Sequence, residues 1–448
     1  MASFTSPSSS MDREDAIEAL RMHLVGDEVL EVGQGVDVRG EGVFAATKLE
    51  SGSLLVRVAL RACITPDRVL GCDALKPVFE AAEGLKEYPD EVLALGLMYG
   101  RLTEGCAWHK HCKAMPQSID TPIFWSEEEH QKLDQLNNYF VSNILKRQMQ
   151  SDWASIHAPL VEAFPEVLSG ADKKLYDWAL SMVYSRAVGI RRKGEYTRCI
   201  APVVDMANHY PRQGKHSADA FHFDENNDTL EIKTCVDVDA GDECYAIYGH
   251  YSNAKLLHTY GFVLPGEAPL AMDVWPNIAH HLNTVATKVS PDLADRKKRV
   301  LEALRLLEAA ADYKFDGSIR ASRNGEVHVD GRLMRVARIM EATEDEVKLM
   351  CRPGYQGDRV SKKNEVASML ALKELFLAVR DRVSKGGTTT DKDGEDEVGP
   401  ALPPAMVDDA AAEYRALCAR TVRGDDCLVL EYAAQMMGAK AKALQQTK

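Results

Sequence analysis

The chain has 448 residues, of which 45% are hydrophobic, and its 54 Lys and Arg residues face 68 Asp and Glu residues. This length exceeds one ordinary core, so we expect two or three domains. The formal net charge of −14 argues against a broad phosphate-binding surface and a nucleic-acid partner, and it favours a cationic partner such as a basic protein segment.

No apolar run is both long enough and sufficiently free of charge to cross a bilayer, so we predict a soluble protein with no membrane partner. The first ten residues, MASFTSPSSS, lack the arginines of a transit peptide and the apolar core of a secretory signal. We predict that residues 1–28 form a disordered lead-in and one short helix, Glu14 to Leu24.

The ten cysteines are scattered and form no C-x-x-C pair, which is typical of a reducing compartment. The protein is therefore expected to be intracellular, and cytoplasm, nucleus and chloroplast remain equally compatible. Cys106 and Cys112 flank a segment with His109 and His111, but such residues on one short loop rarely make a closed metal site, so we interpret them as ordinary loop residues.

Short alternating runs punctuated by glycine predict strands between Val29 and Thr65. Within them, RGEGVFA (Arg39 to Ala45) places Gly40 and Gly42 between two strands. Glycine there lets the backbone turn tightly and offer its N–H and C=O groups to a ligand, although a plain hairpin turn is the alternative.

Helical periodicity dominates from about residue 76 to about residue 190. Ser126 followed by three glutamates predicts a capping box at the start of one helix. Another helix is predicted from Lys173 to Ile190, with Ser185 and Arg186 at its far end. Arg186 could belong to a functional site, or it could equally be a helix-end charge that interacts favourably with the helix dipole.

The run APVVDMANHY (Ala201 to Tyr210) delivers three polar residues, Asp205, Asn208 and His209, after an apolar, strand-like run from Cys199 to Val204. By residue type alone, Asn208 and His209 could form a turn and a helix cap. His216 and His222 invite a metal interpretation, but their spacing fits no zinc signature, so we predict no metal.

In the run YGHYSNAKLLHTYGF (Tyr248 to Phe262), Tyr248 follows an alternating strand that begins at Glu243. A helix is predicted to start near Ser252 and to end at Tyr260 and Gly261, so two tyrosines bracket one helix.

Charged amphipathic patterns after Gly266 predict a helical second domain. Its predicted helices are Asp295 to Tyr313, Lys362 to Lys385 and two more between Ala410 and Leu444. The polar run at about residues 385–405 lacks apolar groups to bury, so we predict a mobile loop there.

Taken in order, RGEGVFA, DTPIFWSEEE, WALSMVYSRAV, PVVDMANHY and GDECYAIYGHYSNAKLLHTYGFV, with the helical region after them, resemble SET-domain protein methyltransferases. The resemblance is to the branch of the Rubisco large-subunit lysine methyltransferases and also to the actin-histidine methyltransferase. It implies an α+β fold. A mostly β SET core of the β-clip type would span residues 29–264, with a helical insert at about 76–190. An all-α substrate-binding lobe would span 265–448.

The resemblance implies S-adenosyl-L-methionine as the methyl donor. The backbone around Arg39, Gly40 and Glu41 would contact the amino acid part of this cofactor. Asn208 and His209 would bind its amino group and its adenine.

The resemblance also implies a protein substrate with a target lysine. Tyr248 would be the channel tyrosine that contacts the cofactor near its sulfonium, and Tyr260 would help to wall the methyl-transfer site. Ser185, Arg186 and Asp205 would line the acceptor side.

The chemistry of methyl transfer agrees with such a site. An in-line displacement gains most from positioning in a dry pocket, and the acceptor amine must be neutral to attack. Burial and a nearby sulfonium charge both lower the pKa of a lysine. The residues that could supply a desolvated aromatic slot are Tyr245, Tyr248, Tyr251 and Tyr260.

We therefore expect a protein-lysine N-methyltransferase that acts on a non-histone protein. Methylation of a histidine is an alternative that the actin-modifying branch allows. A third possibility, from another class, is a SET-fold binding module without activity that works through its acidic helical lobe. The chain lacks a cysteine-rich zinc tail after Tyr260, so the helical lobe would have to close the channel.

Overall fold

The computed structural model of the protein describes residues 10–40, 42–210, 218–274, 289–306, 318–386 and 408–447. The chain divides into two compact units. The first unit contains residues 1–119 and 145–250, and the second contains residues 120–144 and 251–448. The expected border between a catalytic region ending at residue 264 and a helical lobe starting at residue 265 stays a prediction.

The strands are short and lie mainly in the first unit. They are β1 (Leu30–Val32), β2 (Val36–Arg39), β3 (Gly42–Ala45), β4 (Leu54–Ala59), β5 (Ala187–Arg192), β6 (Glu195–Ile200), β7 (Ala218–Ala220), β8 (His222–Asp224), β9 (Thr229–Lys233), β10 (Glu243–Ile247), β11 (Leu270–Met272), β12 (Ile319–Ala321) and β13 (Val327–Val329).

The helices occur in both units. They are α1 (Ser10–Gly26), α2 (Pro66–Leu70), α3 (Lys76–Ala81), α4 (Pro89–Leu102), α5 (His109–Ala114), α6 (Glu127–Gln131), α7 (Asn137–Asp152), α8 (Ala158–Ala163), α9 (Pro165–Leu168), α10 (Lys173–Arg186), α11 (Asn253–Tyr260), α12 (Pro291–Ala303), α13 (Gly331–Met340), α14 (Glu344–Met350), α15 (Lys362–Lys385) and α16 (Asp408–Gln446). None of the helices in the described ranges is long and apolar enough to cross a membrane.

The first unit is built from small sheets. One has the strand order β1-β4-β9-β8, a second has the order β2-β3-β10-β7, and β5 pairs with β6 as an antiparallel hairpin. In the second sheet β10 runs antiparallel to β3 and parallel to β7. Cys244 and Ala246 of β10 are fully buried, while Glu243, Tyr245 and Ile247 are half-buried, which is the alternation expected of a strand with one face on the core.

The second unit has its own core, centred on the packing of α15 against α16. Phe376 and Val383 of α15 and Val422 and Leu430 of α16 are fully buried in this core. The unit also carries a three-stranded antiparallel sheet of the order β11-β12-β13, which the helical periodicity did not predict.

Several local predictions are confirmed by the structure. The strands on either side of Gly40 form a hairpin, and Ser126 and Glu129 form the expected capping box. α11 begins after Ser252, whose side chain accepts from the Lys255 amide, and it ends at Gly261 in the left-handed conformation.

Other boundaries were predicted wrongly. The helix expected to reach Ile190 ends at Arg186, because the next residues leave the helix to pair with β6 as strand β5. The strand expected to reach Val204 ends at Ile200, and Val204–Met206 is a 3₁₀ turn.

The C-terminal pattern also differs from its prediction. The segment expected to form two helices is the single helix α16, which passes through Gly424 without a break because core residues flank that glycine on both sides. The helix expected to begin at Asp295 is α12, which begins at Pro291 and ends at Ala303. Residues 307–317 and the predicted mobile loop after Gly386 lie outside the described ranges.

Gly261 lies at a closely packed point of the second unit. Its φ is +81°, and a Cβ added to it would lie 2.8 Å from the backbone carbonyl of Asp120. Gly261→Ala should therefore lower the free energy of unfolding by about 2–3 kcal/mol, through the left-handed backbone and the clash together.

The matched control is Gly266→Ala. Gly266 has a similar φ of +74° but open space around its added Cβ, so we expect a loss of only about 1 kcal/mol. Urea unfolding of both variants measures the difference, and equal losses would show that the approach to Asp120 does not matter.

Candidate active site

The polar residues expected to form the site follow a strained turn in the first unit. Val203 has a φ of +69°, which is a genuine outlier for a β-branched residue and requires a surrounding structure that enforces it. The Asp205 amide donates to the Ala201 carbonyl over 3.0 Å, and the Met206 amide donates to the Val203 carbonyl over 3.1 Å. These bonds close the turn directly before Asn208 and His209.

Asn208 and His209 then run beside β10. The Ala246 amide donates to the Asn208 carbonyl over 2.7 Å, and the Tyr210 amide donates to the Ala246 carbonyl over 3.2 Å. His209 is thus paired in parallel with Ala246. The strand β10 therefore fixes the backbone of both predicted cofactor-binding residues.

Glu243, at the start of β10, was not among the predicted site residues. The Asn208 side-chain amide donates to Glu243 Oε1 over 2.6 Å. A Cβ added to Gly42 would come within 2.5 Å of Glu243 Oε1 and 2.9 Å of Asn208 Nδ2, so this glycine permits the pair. The alternating side-chain pattern of β10 could have pointed to Glu243, since it places Glu243 on the same face of the strand as Tyr245.

His209 is held as a neutral imidazole. Burial lowers the pKa of His209 to about 4, with a smaller lowering from His250 and an opposing effect of the Ala246 carbonyl. Its Nδ1 lies 3.1 Å from the Tyr248 amide and 3.3 Å from the Ala246 carbonyl oxygen. Because a neutral Nδ1 cannot accept from one and donate to the other, the shorter contact with a fixed donor assigns the ring proton to Nε2.

Tyr248 packs against two rings, and its hydroxyl donates to the backbone. Its ring centroid lies 5.0 Å from that of His209 and 6.1 Å from that of Phe221. The hydroxyl donates to the Ala207 carbonyl over 2.8 Å. Burial raises the pKa of Tyr248 to about 12, so the phenol stays protonated at neutral pH and keeps a fixed orientation.

Asp205 is a buried carboxylate that contacts His111 and Arg186. Its side chain is 1% exposed, and its Oδ2 lies 3.2 Å from His111 Nε2 and 3.5 Å from the Arg186 guanidinium. Burial alone would raise the pKa of Asp205, but His111 and then Arg186 outweigh burial, so the pKa lies below the ordinary value. Asp205 Oδ1 and Arg186 Nε are buried without a hydrogen-bond partner among the described residues.

His111 shows that one sequence interpretation was wrong. The segment from His109 to Ala114 is the helix α5 and not a loop, and it brings His111 to Asp205. Arg186 also donates to the backbone carbonyl of Asp205 over 2.7 Å, so it does more than meet the helix dipole. No group of three or more metal-binding side chains occurs in the part of the chain that the structure describes, and His216 lies outside that part.

The glycine hairpin is engaged by α1. The Gly40 amide donates to Glu14 Oε1 over 2.8 Å, and the Arg13 guanidinium donates to the Gly40 carbonyl over 2.8 Å. Arg39 bonds Asp37 over 2.7 Å. Glu41 lies outside the described ranges. The cofactor role of this hairpin stays a prediction, and Arg13 and Glu14 are contacts that sequence reasoning missed.

Two further predicted residues have local partners. The Ser185 hydroxyl donates to the Ser181 carbonyl over 2.8 Å within α10. Tyr260 belongs to the second unit, where its ring centroid lies 6.2 Å from that of Tyr251 and 6.0 Å from that of Phe262. Their roles at an acceptor also stay predictions.

The small sheets and the helical second unit are the fold of SET-domain methyltransferase structures. The crystal structure of the SET domain of LSMT bound to lysine and AdoHcy matches with a TM-score of 0.66 and 20% sequence identity, over 96% of this chain and 93% of that chain. At this identity the likeness shows the fold, and it confirms the predicted α+β class. No protein-family model matches the chain.

Sequence relatives carry the same resemblance. The chain is 25% identical to the pea (Pisum sativum) ribulose-1,5 bisphosphate carboxylase/oxygenase large subunit N-methyltransferase over 249 residues. The aligned region covers 53% of this chain and 48% of that protein. It is 24% identical to the mouse (Mus musculus) actin-histidine N-methyltransferase over 327 residues, and this alignment covers 69% of this chain and 49% of that protein. The chain thus spans about half the length of these curated relatives, and the predicted resemblance to both branches is confirmed.

The buried neutral His209 predicts an acid-sensitive fold. Above about pH 6.5 the imidazole is neutral in the folded and the unfolded chain, and as the pH falls the unfolded chain binds the proton first. With a folded pKa of about 4, His209 should cost about 2 kcal/mol of unfolding free energy between pH 7 and pH 5.

Urea unfolding at both pH values, compared with His209→Gln, isolates this contribution because glutamine does not titrate. The glutamine variant should lose about 2 kcal/mol less than the natural chain over this interval. An identical loss in both proteins would contradict the assignment.

Proposed function

We propose that the protein is an S-adenosyl-L-methionine-dependent protein-lysine N-methyltransferase that acts on a non-histone protein. The SET-type fold and the similarity to the pea methyltransferase support this reaction class. The observation that carries the proposal is the arrangement of Asn208, His209 and Tyr248 around the end of β10, with the Tyr248 hydroxyl held on the Ala207 carbonyl.

The residues present fit the proposed cofactor. Its amino acid part carries an ammonium group, and the Asn208–Glu243 pair, which a Cβ on Gly42 would crowd, supplies a carboxylate of the right charge for it. Asn208 with Glu243 would hold an ammonium group, and the rings of His209 and Tyr248 would border the adenine and the sulfonium. When bound, S-adenosyl-L-methionine supplies an electrophilic methyl group on that sulfonium.

Tyr248 would orient and desolvate the reacting groups. Because its hydroxyl proton is donated to Ala207, the phenol oxygen has lone pairs to offer to a positively polarised methyl group. With a pKa of about 12, Tyr248 does not act as a base at neutral pH. A dry aromatic wall would instead favour the neutral form of an incoming lysine amine, which is the form that attacks.

The charge of the chain supports a basic substrate segment. The net charge of −14 would attract a lysine-bearing region of a protein partner and disfavour a phosphate-rich one.

Histidine methylation is the second candidate. The mouse actin-histidine enzyme matches 69% of this chain, whereas the pea lysine enzyme matches 53%. Mass-spectrometric mapping of the modified residue in a labelled substrate separates the two reactions.

Methyl transfer from labelled cofactor to protein extracts tests the proposal. Tyr248→Phe removes the hydroxyl and Asn208→Ala removes the amide that bonds Glu243, so each should lower the rate by about tenfold or more through lost positioning. Tyr196→Phe is the matched control, since that tyrosine is 68% exposed on β6, and it should retain the natural rate.

Absence of labelling by the natural chain, together with no calorimetric binding of S-adenosylhomocysteine, would overturn the reaction class and favour a binding module. Labelling that survives both Tyr248→Phe and Asn208→Ala would overturn the assigned roles.

A further inference from the structure

His111 occupies a position that no sequence motif assigned to the site. It lies on α5, its side chain is 3% exposed, and its Nε2 approaches Asp205 Oδ2 to 3.2 Å. This contact is shorter than that of Arg186, whose Nη1 lies 3.5 Å from the same oxygen. A carboxylate this deeply buried needs such a partner to remain ionised.

Asp205 in turn sits in the middle of the strained turn. Its amide and its carbonyl are both bonded, to Ala201 and to Arg186 respectively. Two residues further along the chain, the Ala207 carbonyl accepts the Tyr248 hydroxyl. The position of the Asp205 side chain therefore bears on the group that orients Tyr248.

We propose that His111 is a positioning residue of this site. By holding the Asp205 carboxylate, it fixes the turn from Val203 to Ala207, which aims the Tyr248 hydroxyl and leads into Asn208 and His209. The inference rests on the proposed function for what the site does, and on the contacts of His111 for how the site is held.

The charged and titratable groups around Asp205 come from several elements. Besides His111 on α5, they are Arg186 on α10, Arg13 on α1, the Tyr248 phenol and the Cys63 thiol. Burial raises the pKa of Asp205, while His111 and Arg186 lower it, so loss of the His111 side chain should move that pKa upward. As the pH falls, the carboxylate would then be protonated sooner, and the acid limb of the pH–rate profile would shift to higher pH.

Two variants distinguish the hydrogen bond from His111 to Asp205 from the ionisable character of the His111 ring. His111→Phe removes the donor and leaves Asp205 without its nearest partner. His111→Gln retains an N–H donor but has no ionisable group. We expect His111→Phe to weaken S-adenosylhomocysteine binding about tenfold or more by calorimetry. His111→Gln should stay within about threefold of the natural affinity and still show the shifted acid limb.

His157 provides the matched control in the same unit. Its side chain is 0% exposed, and its Nε2 bonds Glu91 Oε2 over 2.9 Å, so it is also a buried histidine paired with a carboxylate. His157→Phe and His157→Gln should lower stability but leave both the affinity and the acid limb of the natural chain unchanged.

Hydrogen exchange of the segment from Cys199 to Tyr210 measures the turn without any ligand. His111→Phe should lose protection there, and His157→Phe should not. The proposal would be overturned if the His111 variants keep the natural affinity for S-adenosylhomocysteine, the natural acid limb and the natural hydrogen-exchange protection. It would also be overturned if the His157 variants change these three quantities as much as the His111 variants do. If His111→Phe does not fold, an unshifted acid limb in His111→Gln overturns it.

The two proposals fail separately. A natural chain that neither labels proteins nor binds S-adenosylhomocysteine contradicts the methyltransferase function, while the hydrogen-exchange comparison still decides whether His111 holds the turn. A chain that labels proteins with unaltered His111 variants contradicts only the positioning role.

Discussion

The buried ionised carboxylate of Asp205 is the constraint on which the site of the first unit depends. Removing such a group from water costs several kcal/mol unless cations and hydrogen bonds compensate it, and here His111 and Arg186 do so from two different helices. The same residue sits two positions after Val203, whose positive φ is unfavourable for a β-branched side chain. The ion pairs and the strained turn therefore belong together, because the paired Asp205 holds the chain where the backbone alone would not stay.

Strand β10 carries this local order to the predicted cofactor-binding residues. Ala246 bonds the chain on both sides of His209, and the amide of Tyr248 bonds the His209 ring itself. The return contact runs from the Tyr248 hydroxyl to Ala207. The turn segment and the end of β10 thus orient each other. A displacement of the turn would therefore also move Tyr248.

Sequence reasoning succeeded where the signal was local. The capping box at Ser126 and the glycine that ends α11 need only neighbouring residues, and both were predicted. Asn208, His209 and Tyr248 were singled out because they follow apolar runs within recognisable motifs, and their roles stay predictions. His111 was missed because its partner Asp205 is 94 positions away, and Glu14 was missed because its contact with Gly40 spans 26 positions. Periodicity cannot report such pairs, since each side chain taken alone looks like an ordinary surface charge.

The distribution of ionisation within the first unit suits methyl transfer. The two rings beside β10 are kept neutral, since burial lowers the pKa of His209 and raises that of Tyr248. The carboxylates of the site bond other residues, Asp205 with His111 and Arg186 and Glu243 with Asn208. A neutral aromatic surface neither competes for the proton of an incoming amine nor stabilises its ammonium form through an anion, so it favours the nucleophilic state. Under the proposed function, the acidic character of the whole chain would attract a basic substrate segment at long range.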